Sequence, residues 1–471
     1  MLLPRFPGLR AQTQEGSACL FDRVTTVWLC RLARVVAVVA LFAGVASAQE
    51  SGDQDQLDFQ GRGSVVVGSG ARAFGMGGAF LARADDATAA SWNPAGLSYL
   101  RLPELSLVGV RDIIDVEGRD AAGALGLQDR RTGDVPDFAA LAYPVSLGSV
   151  SGAVQLSFQR VLSVDGERDI TKTDTQQRIT GSGGFDVLAL GTGLQVSHRL
   201  RLGATFNYWF SGYHQTRERL LHRRSRQETE FDISGFNLNL GLIWSPFENF
   251  NVGAVAKTPF TADVTLTRSR TDYVKDDSDL PADITTNAYQ ADDVRLDFPG
   301  AVGFGASWRP LSPLTLSADY TRTFWSDAHI HNFFVLPSTP AGTRANPTPE
   351  KPKPTAPGSL FASLSYPTLK TDPQEDTEQI RAGVEYVLIF DRLKIPLRAG
   401  YFNDRQYQRA ADGSAPRYNG FTLGTGLLAG PVLLDLAYVY ESGEVTDPSE
   451  ARTSVVLQRF IVSLIYRHGS Q

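Results

Sequence analysis

Leu314-Thr-Leu-Ser-Ala-Asp-Tyr-Thr321 alternates residue by residue, with Leu314, Leu316, Ala318 and Tyr320 on one side and Thr315, Ser317, Asp319 and Thr321 on the other. A period of two marks a strand with unlike faces, one suited to lipid and the other to an aqueous or protein-filled lumen. The pattern recurs as Leu202, Ala204, Phe206, Tyr208 and Phe210 against Arg201, Thr205 and Asn207. Over 431–442 both faces are partly apolar, which fits a lumen that handles greasy cargo better than a wide water-filled pore.

Working outward, strand-like runs fall at 104–117, 136–145, 149–162, 184–197, 200–214, 228–245, 249–268, 293–309, 314–330, 377–390, 394–405, 418–429, 431–442 and 454–467, about fourteen in all. An even count is what bacterial outer-membrane barrels require. Short connections (144–148, 197–199, 245–248, 309–313, 390–392, 429–430) alternate with long polar ones (118–135, 163–183, 215–227, 269–292, 331–376, 406–417, 443–453). Short periplasmic turns and long extracellular loops produce that alternation, whereas a sandwich or propeller gives no reason for it. The expected fold is therefore all-β, a transmembrane antiparallel barrel over 103–468. Its extracellular loop 331–376 is Pro-rich, and such a composition reads as a solvated insertion.

Residues 1–48 read as a signal peptide: Arg31 and Arg34, then the apolar run 35–45, then the small-residue site Ala46-Ser47-Ala48. That run is too short to span a bilayer as a helix, and no later stretch is long enough either. Cys19 and Cys30 both fall in the leader, so the mature chain has no thiol for a disulfide or a metal. The leader's five Arg against Glu15 and Asp22 leave the mature chain near −9 from the whole-chain −6, which disfavours nucleic acid as a partner.

Strands descending to the short turns end in Tyr143, Trp244, Trp308, Phe390 and Tyr466, where a periplasmic aromatic girdle is expected at headgroup level. The last strand, 455–466, resembles the C-terminal signal read by the outer-membrane insertion machinery, although 467–471 follow its aromatic end.

A barrel of this size encloses more space than its own side chains fill. The Gly- and Ala-rich segment 49–102 precedes the first strand and is the expected plug. Gly75, Gly77 and Gly78 let it pack close to a wall. Asp85-Asp86 are placed to cap a short helix over 87–91, and Asn93-Pro94 to end it. The run from Gly68 to Gly96 resembles the N-terminal hatch signature of the FadL/TodX family of outer-membrane channels for long-chain fatty acids and other hydrophobic molecules. Weaker matches continue in order at 298–310, 318–326, 381–386, 396–401 and 433–438. The resemblance implies hatch roles for Gly70, Asn93, Pro94 and Ala95. It also implies passive uptake, with lateral release into the bilayer through a side opening.

Arg160, Lys257 and Arg322 are candidates to meet a ligand carboxylate, and Gly152 is the candidate for a strand kink at the side opening. The expected setting is the outer membrane, crossed many times by a monomer in contact with lipid and lipopolysaccharide. No cofactor, metal or catalytic set is read. His329 and His331 suit a solvated rim pair better than a metal site, Gly68–Ala73 lacks the βαβ unit of a dinucleotide motif, and no serine is paired with an activating histidine. A secretion-system adaptor holding cargo proteins, or a structural barrel, is the alternative reading.

Overall fold

Backbone pairing carries this alternation into one closed wall. The computed structural model describes residues 68–119, 123, 125–172, 175–219, 224–274, 282–328, 330–331, 375–391, 393–406, 415–446 and 452–469. The expected signal peptide, the first part of the N-terminal segment and nearly all of the Pro-rich loop lie outside them.

Fourteen strands form an antiparallel barrel. They are β1 (Glu104–Arg119), β2 (Leu125–Leu147), β3 (Val150–Ser163), β4 (Thr175–Gln195), β5 (Leu200–Phe210), β6 (Arg224–Phe247), β7 (Phe250–Lys257), β8 (Ala301–Leu311), β9 (Leu314–Thr323), β10 (Thr377–Phe390), β11 (Leu393–Arg405), β12 (Arg417–Ala429), β13 (Val432–Thr446) and β14 (Arg452–Arg467). The barrel closes by pairing β1 with β14, from Glu104 opposite Arg467 to Arg119 opposite Arg452. Side chains sort by parity. Thr315, Ser317 and Asp319 are buried toward the lumen, and Leu316 and Tyr320 are exposed on the outer face. Likewise Leu141 and Tyr143 are 60% and 61% exposed, whereas the intervening Ala142 is fully buried. The inward apolar residues of 431–442, Ala437 and Val439, pack in the cluster that contains Phe74 and Trp92 of the N-terminal segment.

The turns are tighter than the sequence suggests. Strands run on through Pro144 and Ser245, leaving Gly148-Ser149 and Glu248-Asn249 as connections. Gly148 and Gly430 take φ of 63° and 59°, which hairpin turns demand and glycine supplies without strain. At the opposite end, much of what reads as loop is paired strand. Gly166–Lys172, Gly212–Arg219, Phe260–Val274 and Ala282–Phe298 extend the β3 to β8 side of the wall. Polar residues on both faces remove the alternation there, while the backbone ladder continues regardless.

One seam interrupts the wall. Pairing of β2 with β3 ends at Phe138 opposite Gln159, where Asp137 bulges out of the β1–β2 ladder and Pro136 has no N–H to offer. Beyond that point Arg131 bridges the two edges, donating to the carbonyls of Asp165 at 2.9 Å and Ser163 at 3.3 Å.

Candidate functional site

Residues 68–100 fill the lower lumen as α1 (Ala71–Gly75), α2 (Ala89–Trp92) and a 3-10 turn (Pro94–Tyr99). Gly77 and Gly78, at φ of 67° and 75°, turn the chain sharply after α1. The short helix begins at Ala89, two residues later than expected. Asp86 organises the turn before it, accepting from the amide (2.9 Å) and hydroxyl (2.6 Å) of Thr88, while Asp85 pairs with Arg72 at 2.7 Å. These short-range bonds compete with helix at 86–88. Asn93 Oδ1 accepts from the Ala95 amide at 3.1 Å and Pro94 opens the 3-10 turn, a position where its missing N–H is harmless. Asn93 Nδ2 donates to Leu81 O (2.7 Å) inside the segment and to Leu242 O (3.1 Å) on β6. One amide group thus ties the fold of the segment to the wall.

Contact with the wall is mostly backbone against backbone. A Cβ at Gly203 would lie 2.2 Å from Pro94 C, at Gly241 2.1 Å from Asn93 Oδ1, and at Gly253 2.4 Å from Leu81 O. On the opposite side, a Cβ at Gly383 would lie 2.2 Å from Met76 O and at Gly400 2.1 Å from Gly77 N. Gly75 itself rests on Gly424, and Gly70 has φ of 108° beside Thr88. These wall glycines are register neighbours or nearly so (Gly203↔Gly241, Gly383↔Gly400) and form a belt.

Polar groups complete the fit. Asp319 on β9 accepts from the amides of Phe80 (2.6 Å) and Leu81 (2.8 Å), and Thr422 on β12 accepts from that of Gly77 (2.9 Å). Glu385 on β10 meets Arg83 and Arg72 of the segment and Arg398 of β11, which also reaches Asp435 at 2.6 Å.

Above the segment, against the β3 to β8 side of the wall, lies a cavity. Its floor includes Ala90 and Ser91, and its lining includes Phe138, Val161, Val187 and Asn207. Trp209, Phe260 and Phe298 form a stacked group over it, with Phe260 and Phe298 centroids 4.8 Å apart and the two rings nearly parallel. Asn237 accepts from Trp209 Nε1 at 2.8 Å and fixes that ring. Lys257 is the cation in this lining, its Nζ 3.4 Å from Ser91 O.

The three cations considered for a carboxylate do not converge. Arg160 is held bidentately by Asp186 at 2.7 and 2.9 Å and faces a second, charged cavity. Arg322 lies on the outer face, bound to Asp376 at 2.9 Å. Gly152 sits in an unbroken ladder between Val145 and Leu194, and the shift in β3 falls instead between Arg160 and Leu162. The aromatics Tyr143, Trp244, Trp308 and Phe390 are exposed near the short turns, with Tyr466 half-buried. His329 is outside the described residues, and among those described no three metal-binding side chains cluster. The aromatic group was not singled out from sequence, although Trp209 shares the inward parity of Thr205 and Asn207.

The BamG family model matches residues 31–336, more than half of the chain. The chain belongs to the BamG family. Among solved structures, this BamG-family barrel is similar to a Pseudomonas aeruginosa FadL homologue (14% identity, 85% of this chain and 99% of that one, TM-score 0.59). It is also similar to the P. putida toluene transporter TodX (15%, 86% and 100%, 0.58) and the Ralstonia pickettii toluene transporter TbuX (14%, 85% and 99%, 0.52). The FadL/TodX fold is thus the fold of this chain. No curated protein matches it in sequence.

Proposed function

We propose that this barrel is an outer-membrane channel for passive entry of hydrophobic molecules, with residues 68–100 as its hatch. The observation that carries the reading is the cavity between that segment and the Trp209–Phe260–Phe298 stack, apolar in most of its lining and furnished with Lys257. Apolar cargo gains roughly 0.8 kcal/mol for each CH₂ withdrawn from water, and an ammonium selects an acidic head. A fatty acid is therefore the favoured ligand, with its carboxylate toward Lys257. The likeness to channels described as toluene transporters supports the hydrophobic class without choosing among its members.

Exit into the bilayer is proposed at the seam between β2 and β3. Phe138, Gln159 and Val161 line the cavity, and Phe138 with Gln159 is also the last pair of the ladder. Cargo leaving there enters lipid without crossing water. Uptake of labelled fatty acid by proteoliposomes tests the function. Uptake no faster than in protein-free vesicles would rule it out.

A further inference from the structure

The second cavity borders Gly68 and Phe74 of the N-terminal segment and the inner faces of β1, β2, β11, β13 and β14. It adjoins the apolar one, since Gln159 and Val161 line both. Its charged lining is four carboxylates, Asp112, Asp137, Asp404 and Glu441, against three guanidiniums, Arg160, Arg381 and Arg459. Each guanidinium is already engaged. Arg459 is held by Asp112 at 2.6 and 3.0 Å, Arg160 by Asp186 outside the lining, and Arg381 by Asp404 at 3.2 Å and by Gly77 O.

Glu441 is left over. Its parity with Asp435 and Val439 turns it inward, it is 7% exposed, and it makes no hydrogen bond or ion pair among the described residues. Asp404 adds a second open acceptor, its Oδ1 being buried without a partner. A buried carboxylate that no donor contacts directly is costly unless something fills its acceptor sites. Three N–H donors on one compact positive atom are what a primary ammonium brings, and it accepts nothing.

We propose that this cavity binds the ammonium of an amine-bearing amphiphile at Glu441, with the alkyl chain lying across Gln159 and Val161 in the apolar cavity. The inference rests on the apolar chamber being a ligand site, and adds a second polar pole opposite in sign to Lys257. The cargo class then widens from acids to amines and to zwitterions carrying both groups.

The test is calorimetric titration of the folded full-length mature barrel in a neutral amphipol with dodecylammonium and with dodecanol, which share a chain and differ in charge. Wild type is expected to bind dodecylammonium about tenfold tighter than dodecanol, a ratio typical of one charge-assisted contact. Glu441→Gln should bring the two within about twofold, dodecanol affinity being unchanged. Glu441→Asp should keep part of the preference, and heat-modifiable gel migration reports whether each variant is folded. Dodecanol binding without ammonium preference, or a preference that survives Glu441→Gln, overturns the amine site and leaves the channel reading intact. Binding of neither ligand overturns both.

Discussion

Asp319 on the barrel wall accepts a hydrogen bond from the backbone amide of Leu81, 2.8 Å away and 238 positions earlier in the chain. The same oxygen accepts from Phe80 at 2.6 Å. Two successive buried amides thus depend on one carboxylate. Asp319→Ala would strand both, at ~1–3 kcal/mol for each unsatisfied group. The expected result is faster hydrogen exchange at Phe80 and Leu81 and a measurable ion leak through the barrel in planar bilayers. Unchanged exchange would mean that the anchor is redundant with Asn93.

Gly241 and Gly109 make a matched pair. A Cβ at Gly241 would sit 2.1 Å from Asn93 Oδ1, whereas a Cβ at Gly109 meets nothing within 4 Å. Gly241→Ala should displace the N-terminal segment and lower the unfolding midpoint, at the ~1–3 kcal/mol typical of overpacking. Gly109→Ala should match wild type in both conductance and stability. Equal behaviour of the two variants would contradict the close fit.

Lys257→Gln keeps much of the volume and removes the charge from the apolar cavity. Affinity for dodecanoate should fall about tenfold, equivalent to ~1.4 kcal/mol, while dodecanol is unaffected. Equilibrium dialysis with labelled ligands separates the two. A parallel loss for both ligands would assign Lys257 to holding Ser91 and not to the ligand.

The seam is testable with a covalent staple, because the sequence contains no cysteine after Cys30. A Cβ at Gly133 would lie 2.9 Å from the Asp165 carbonyl oxygen, across the gap between β2 and the outer edge of β3. With Gly133→Cys and Asp165→Cys oxidised, uptake into proteoliposomes should drop severalfold and recover on reduction. Uptake indifferent to the staple would place the exit elsewhere.

The facing of Leu314–Thr321 was fully legible, because outside and inside differ there in chemistry as well as direction. The outer strands were not. Over 269–292 polar residues occupy both parities of the sequence, so period two carries no contrast, although Phe260–Val274 and Ala282–Phe298 pair along most of their length. Arg322 could have been set aside from parity alone, since it lies two residues past the outward Tyr320. The roles of Gly203, Gly241, Gly383 and Gly400 had no local signal. Each is explained by an atom of the N-terminal segment more than a hundred positions away, and such proximity is a property of the closed barrel and not of any window of sequence.

The glycine belt also limits the freedom of the two surfaces to change. Where side chains mediate a contact, enlargement on one surface can be relieved by trimming the other. At Gly203 and Gly400 the opposing atoms are carbonyls, amides and main-chain carbons, and at Gly383 the nearest is the Met76 carbonyl oxygen, none of which a substitution can trim. At Gly241 the nearest atom is a side-chain one, Asn93 Oδ1, and it belongs to the residue that also holds Leu81 and Leu242. Wall and insert therefore constrain each other's sequences: a methyl group gained on either surface of the belt has no compensating change available on the other.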